Sequence, residues 1–345
     1  MFFYCSLLFV ELDIIPNKYY LYLYGAKRKE VSFLKVGIPK GLLYWKYGIF
    51  AEIFFTELGC EVIVSGDTNS EILNLGIENS VDEACVPIKV FHGHVASIKD
   101  QCDLVVIPRI MRLTDREFIC PKFCGLPEMI KNSIPNMPDI TEEEINAYHE
   151  KALYKSMIQI GKKVTKDRRK IQKAFEKAME AYQTSSCGIH DEKYESKIAL
   201  LGHPYNVQDP FLNMNVVNKL HHLGVGVMTE EFAPKKEVNE YANQLFKKFF
   251  WTFARHCYGA GAYFAENRKV DGIIYLSAFA CGIDSVVIEL LKDRVGDFPF
   301  LVLKMDEQTG QGGFDTRIEA FVDMIERRKE CEGNFSSYGE HSYSS

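Results

Sequence analysis

The sequence predicts an α/β protein whose parallel sheets are doubly wound, with helices on both faces. Two observations predict it. From Val36 onward, the short apolar runs LKVGIP, CEVIVSG and DLVVIPRI alternate with amphipathic stretches. Such a β-α-β-α-β succession gives a parallel sheet covered by helices. The same rhythm returns in KIALLGHP, VGVMT, DGIIYLS and FPFLVLKM. The expected organisation is therefore two α/β domains, 35–135 and 197–329, separated by a helical insert over 136–196.

In the first domain, helices are expected from Tyr44 to Leu58, near Ser70 to Leu75, and from Asp82 to Ile98, each between two strands. The insert opens on Thr141-Glu142-Glu143-Glu144, a capping threonine followed by acids that suit the first turn of a helix. Val164, Ile171, Phe175, Ala178 and Tyr182 recur at helical spacing. Lys162, Lys163, Lys166, Arg168, Arg169 and Lys170 fall mostly on the other side, as a solvated face or a dock for an acidic partner or phosphorylated ligand. In the second domain the helices expected are Phe211 to Leu223, a long one from Glu237 to Asn267, Ile283 to Val295, and Phe314 to Arg328. Residues 1–34 read as a leader appended outside the fold, or a short extra hairpin, and 330–345 as a disordered tail.

The composition is globular, with 47% hydrophobic and 26% charged residues. A net charge of −6 and a pI near 5.9 argue against nucleic acid as main partner. No apolar run is long enough to span a membrane. The first residues lack the basic start and small-residue end of a secretory signal. Ten irregularly spaced cysteines are then better read as reduced thiols in a cytoplasmic protein than as a disulfide framework.

Three of those cysteines sit where α/β proteins put functional groups. Cys85 opens a helix in VDEACVPIKVFHGH; Cys120 follows the third strand in FICPKFCGLP; Cys281 lies between a strand and a helix in YLSAFACGIDS. Ligands of open α/β sheets gather at the carboxyl ends of strands, and helix N-termini favour thiolate and bound anionic groups. Inert buried thiols are the bland alternative. A zinc site drawing on Cys120, Cys124, His92 and His94 is another, although histidines two apart on a helix point in different directions. His203 in GHPYN and Arg109 after the third strand are the candidate catalytic residues. Asp306, Glu307 and Arg317 flank the loop Thr309-Gly310 to Gly312-Gly313, which could cradle phosphate.

The segments KVGIPKGLLYWKYG, NSVDEACVPIKVFHGH, VVIPRI, ICPKFCGLPEMI, LGHPYNVQDPFLNMN, DGIIYLSAFACGIDS and DEQTGQGGFDTRIEAF resemble the acyl-CoA dehydratase activase-related proteins. That family of unknown function is related to the cluster-bearing subunits of 2-hydroxyacyl-CoA dehydratases and to double-cubane cluster proteins. The match runs in order from Lys35 to Arg328. The resemblance implies two flavodoxin-like domains with an iron–sulfur cluster between them, [4Fe–4S] or a double-cubane variant, on Cys85, Cys120 and Cys281. Cys124 is a spare ligand. It also implies electrons from a separate ATP-hydrolysing activator, since no activator-type phosphate loop is visible in this chain. Low-potential electron transfer is the leading expectation. A lyase acting on an acyl-CoA, and a non-catalytic scaffold or assembly subunit with a structural metal, are the alternatives. Pairing as a homo- or heterodimer is left open.

Overall fold

The structure is a computed structural model and describes residues 33–338. The expected leader, apart from its last two residues, and the last seven residues of the expected tail lie outside the described residues. The strands are β1 (Lys35–Ile38), β2 (Glu61–Val64), β3 (Leu104–Val105), β4 (Arg109–Arg112), β5 (Asp139–Ile140), β6 (Glu144–Asn146), β7 (Ser196–Gly202), β8 (Val225–Thr229), β9 (Gly272–Ala278) and β10 (Phe300–Met305). One sheet has the order β2-β1-β3-β5 and the other β10-β9-β7-β8, every pairing being parallel. Numbered within its own half, each sheet runs 2-1-3-4. This is flavodoxin-like doubly wound topology, whose switch point lies between the first and third strands. The fold class expected from the sequence is the one found.

The two sheets differ in how strongly they specify themselves. In the second, β8 and β9 are buried along their whole length, as expected of parallel strands covered on both faces. In the first, β3 and β5 have only two residues each. DLVVIPRI does not stay in one strand: after Val105 the chain turns at Pro108 and leaves the sheet as β4, which pairs with β6 in a separate two-stranded ladder.

That ladder overturns the expected helix start at Thr141. The Thr141 hydroxyl is buried and bonds both polar groups of Ile107, accepting from its N–H at 2.8 Å and donating to its carbonyl at 3.0 Å. The helix begins instead at Glu150, where His149 Nδ1 accepts from the Ala152 N–H at 2.9 Å. It packs with the helix Arg168–Thr184 on the helix Tyr44–Glu57, around Phe50, Phe54, Met157, Ile160, Ile171 and Phe175. The basic residues 162, 163, 166 and 168–170 are exposed.

Two expected helices are broken. Phe211 to Leu223 is helical only over Val216–His222. The long helix splits into Lys235–Asn243 and Thr252–Glu266. Between the latter two, the Phe118 N–H donates to the Phe250 carbonyl at 2.9 Å and the Thr252 N–H to the Phe118 carbonyl at 2.8 Å. Those groups would otherwise serve a continuous helix, and here they hold the loop that carries Cys120. The last helix, Gln311–Tyr338, runs through the expected boundary at 329.

Candidate metal centre

The structure places Cys85, Cys120 and Cys281 each at a helix N-cap, ahead of Val86–Ile98, Pro121–Cys124 and Gly282–Val295. All three are part-buried. Cys85 and Cys120 pack on one apolar cluster that includes Ile88, Phe123 and Tyr205, and Cys85 also touches a second with Leu212 and Ala278, three residues before Cys281. The Lys122 ammonium donates to Cys85 Sγ at 3.5 Å. At Cys281 the sulfur accepts the Asp284 N–H at 3.5 Å and so caps its own helix.

Electrostatics tie the three together. Burial pushes the Cys281 thiol up to about 12, with Asp284 and then Cys85 adding to the effect. Burial likewise raises Cys120; the Lys122 backbone N–H opposes this, while Cys85 adds to it. Tyr205, buried beside them, is raised by burial and then by the charges of Cys120, Cys85, Asp284 and Cys281. Three thiolates here would repel one another in a poorly hydrated place, which suits a set neutralised by a metal-bearing group. Beside Cys281, a methyl added at Gly282 would meet no protein atom within 4 Å.

The turn into Cys281 is strained, because Ala280 has φ of +61°. A left-handed alanine costs about 1 kcal/mol. Ala280→Gly is therefore expected to stabilise the chain by up to about 1 kcal/mol in urea melts; a loss would show that the turn needs the methyl.

Behind Cys281 lies a buried polar layer. His203 caps the helix Pro204–Gln208 at the switch point of the second sheet, after Gly202, whose φ is +145° and whose missing Cβ would lie 2.4 Å from the Leu276 carbonyl. Its Nδ1 is 3.0 Å from Asp284 Oδ1, although the N–H is poorly aligned, so this is an ion-pair contact rather than a good hydrogen bond. Tyr275 donates to the same oxygen at 2.9 Å. For Asp284, burial acts upward, but His203 and Tyr275 outweigh it and leave the carboxyl below its ordinary value. For His203, burial acts downward, and Asp284 reverses it. Ligand atoms of His203, Cys281 and Asp284 lie within 4.8 Å of one another, a possible metal site in their own right. Since His203 and Asp284 face each other, we read them as the layer that fixes Cys281.

The remaining candidates are placed elsewhere. Arg109 donates to the Glu142 carbonyl at 2.8 Å and the Cys124 carbonyl at 3.1 Å, and pairs with Glu128. It holds its loop together. Cys124 closes the short helix after Cys120. The zinc alternative is not assembled: His94 bonds Ser65 through Nδ1 at 2.9 Å and Thr68 through Nε2 at 3.0 Å, and His92 Nδ1 bonds the Ile88 carbonyl. Glu307 pairs with buried Lys89 at 2.7 Å, Asp306 binds Thr309 and Arg317 donates to the Val302 carbonyl. Sequence reasoning missed Asp284, Tyr205 and Lys122. An acid three residues after a capping cysteine was the available signal for the first.

Two family models match the chain. The CoA enzyme activase uncharacterised domain covers residues 35–232, and the D-component of 2-hydroxyglutaryl-CoA dehydratase covers residues 144–325. Each spans more than half of the 345 residues. The chain belongs to this activase-related, dehydratase-component family. Between them, the matches span the three candidate cysteines, with Cys85 and Cys120 inside the activase-related match and Cys281 inside the D-component match. No curated protein matches the chain. Among solved structures, the C-terminal domain of glucosamine-fructose-6-phosphate aminotransferase from Francisella tularensis aligns at 11% identity and a TM-score of 0.19, over 85% of this chain and 82% of that one. At that score it carries no argument about this member of the family. No helix among the described residues is long and apolar enough to cross a membrane.

Proposed function

We propose that this dehydratase-like family member is a cytoplasmic iron–sulfur protein, with Cys85, Cys120 and Cys281 holding one [4Fe–4S]-type cluster or half of a double cubane. The observation that supports it most is the placement of three thiols from three separate helix N-caps within electrostatic reach of one another. When bound, the cluster would supply low-potential one-electron chemistry. The chain's own residues then have separate tasks. Lys122 offsets thiolate charge at Cys85, the three N-termini add their dipoles, and the Asp284 N–H fixes Cys281 Sγ. Tyr205 stacks on His203 with ring centroids 5.2 Å apart and walls the site from water. His203 faces Asp284 with its Nδ1 at 3.0 Å, an ion pair when the ring is protonated. Electrons would come from a separate ATP-hydrolysing activator.

Anaerobic purification with iron, sulfide and EPR analysis tests this. Brown protein containing iron and sulfide is expected, and single Cys→Ser changes at 85, 120 or 281 should abolish the signal while Cys124→Ser keeps it. Colourless protein with stoichiometric zinc would overturn the reading. ATP-dependent reduction by an activator would support electron transfer, whereas an EPR signal perturbed by an acyl-CoA would favour the lyase.

A further inference from the structure

Away from the thiols, a cavity of about 330 Å³ lies at the carboxyl edge of the first sheet. Tyr47 and Phe55 line it from the helix Tyr44–Glu57, Val106 and Pro108 from the chain leaving β3, and Met157 and Tyr182 from the two helices of the insert. A smaller pocket next to it adds Ile38 and Pro39, at the end of β1, and shares Tyr47, Val106 and Pro108. The cavity therefore sits at the β1/β3 switch point, the crevice in which open α/β sheets bind their ligands. Among the described residues, no cysteine lines it.

Its chemistry is selective. Among the described residues Glu150, exposed at the start of its helix, is the only charged one in the lining, and Lys46, whose charge the Tyr182 hydroxyl feels, stands outside it. Two phenols supply polarity: the rings of Tyr47 and Tyr182 pack with centroids 5.6 Å apart. Burial raises both hydroxyls above their ordinary value, so they stay neutral donors. The volume is at the small end of the range for ligand sites, roughly 300–1,000 Å³. An apolar cavity gains by taking up an apolar guest rather than water.

We infer that this cavity is a second ligand site, which takes a compact uncharged apolar molecule, aromatic or branched, bearing a single hydroxyl-like polar end. It stands whether or not the thiols carry a cluster.

The test uses the full chain and 2-naphthol, with 2-naphthoate as the charged counterpart. Fluorescence titration should show saturable one-to-one binding of 2-naphthol and a raised melting temperature, with naphthoate weaker by about tenfold or more. Ala51→Phe and Leu153→Trp, both changing residues that line the cavity, should each weaken binding by about tenfold or more while the protein stays folded. Glu150→Lys, at an exposed position, should raise the affinity for naphthoate and decides the matter if both filling variants unfold. Absence of saturable binding, binding untouched in folded filling variants, equal affinity for naphthoate, or no gain in Glu150→Lys would each overturn the inference.

Discussion

Gly76→Ala is expected to cost about 3 kcal/mol or more, a large fraction of the roughly 5–15 kcal/mol that keeps a protein folded. The helices Ser70–Glu78 and Val86–Ile98 cross with glycine against backbone. A Cβ on Gly76 would lie 1.9 Å from the Lys89 carbonyl oxygen and 3.2 Å from the Gly93 nitrogen. The contact is reciprocal, since a Cβ on Gly93 would lie 1.8 Å from the Ile72 carbonyl oxygen. Backbone atoms cannot rotate away as a side-chain end can, so the helices must separate. The helix that moves carries Cys85 at its N-cap and Lys89, the partner of Glu307, on its second turn. If Cys85 holds the proposed cluster, a variant that survives should also retain less iron than the parent on anaerobic purification. Gly66→Ala is the control, because a Cβ there meets nothing within 4 Å; it should stay within about 0.5 kcal/mol of the parent. Equal melting temperatures for the two variants would sink the argument.

The same crossing shows what the sequence makes legible. Period and length placed a helix over Asp82 to Ile98, of which Val86–Ile98 is helical with Cys85 at its start, because an apolar run bounded by Pro87 reads locally. Gly76 and Gly93 look like weak points in helices, and only the crossing explains them. The second sheet was readable for a related reason: residues 198–201, 225–229 and 272–277 are buried throughout and need no partner to identify them. The first sheet was less so, since two-residue strands such as β3 and β5 leave no period to count. Thr141 misled because a threonine before three acids is a good cap on local grounds, and the long-range bond to Ile107 outcompetes it. At the candidate site, the cysteines could be named from helix starts and the family resemblance. Asp284 had only the signal of an acid three residues after a capping cysteine, and Tyr275 and Tyr205 had none, because their roles arise only when β9 and the His203 turn are brought side by side.

Glu230→Gln is expected to remove a loss of stability that the parent suffers between about pH 4.5 and just above pH 7. Glu230 is buried in the layer behind the thiols, where Cys257 donates to its Oε2 at 3.0 Å and its Oε1 has no partner. Burial, then the charge of Glu231, raises its carboxyl from 4.5 to about 7, while Lys46, Cys257 and His203 pull the other way. Tyr47 and Cys187 also feel its charge. The folded chain thus keeps a proton that the unfolded chain releases between pH 4.5 and 7. Wherever the folded state binds more protons, stability falls as pH rises. The loss begins near pH 4.5, is complete just above pH 7, and amounts to about 3 kcal/mol at one pH unit per 1.36 kcal/mol. Glutamine has the shape of the protonated acid and cannot ionise, so the variant should escape it. His203 titrates alongside, and its raised pKa likewise gives stability that is lost as pH rises. Removing the Glu230 charge lowers that pKa in part, which makes 3 kcal/mol an upper figure. Urea midpoints of parent and variant should lie closest near pH 4 and separate by pH 8, with Glu230→Gln the more stable. Parallel curves across that range would mean that Glu230 is ionised in the folded protein throughout and that water, not protein, surrounds its carboxylate.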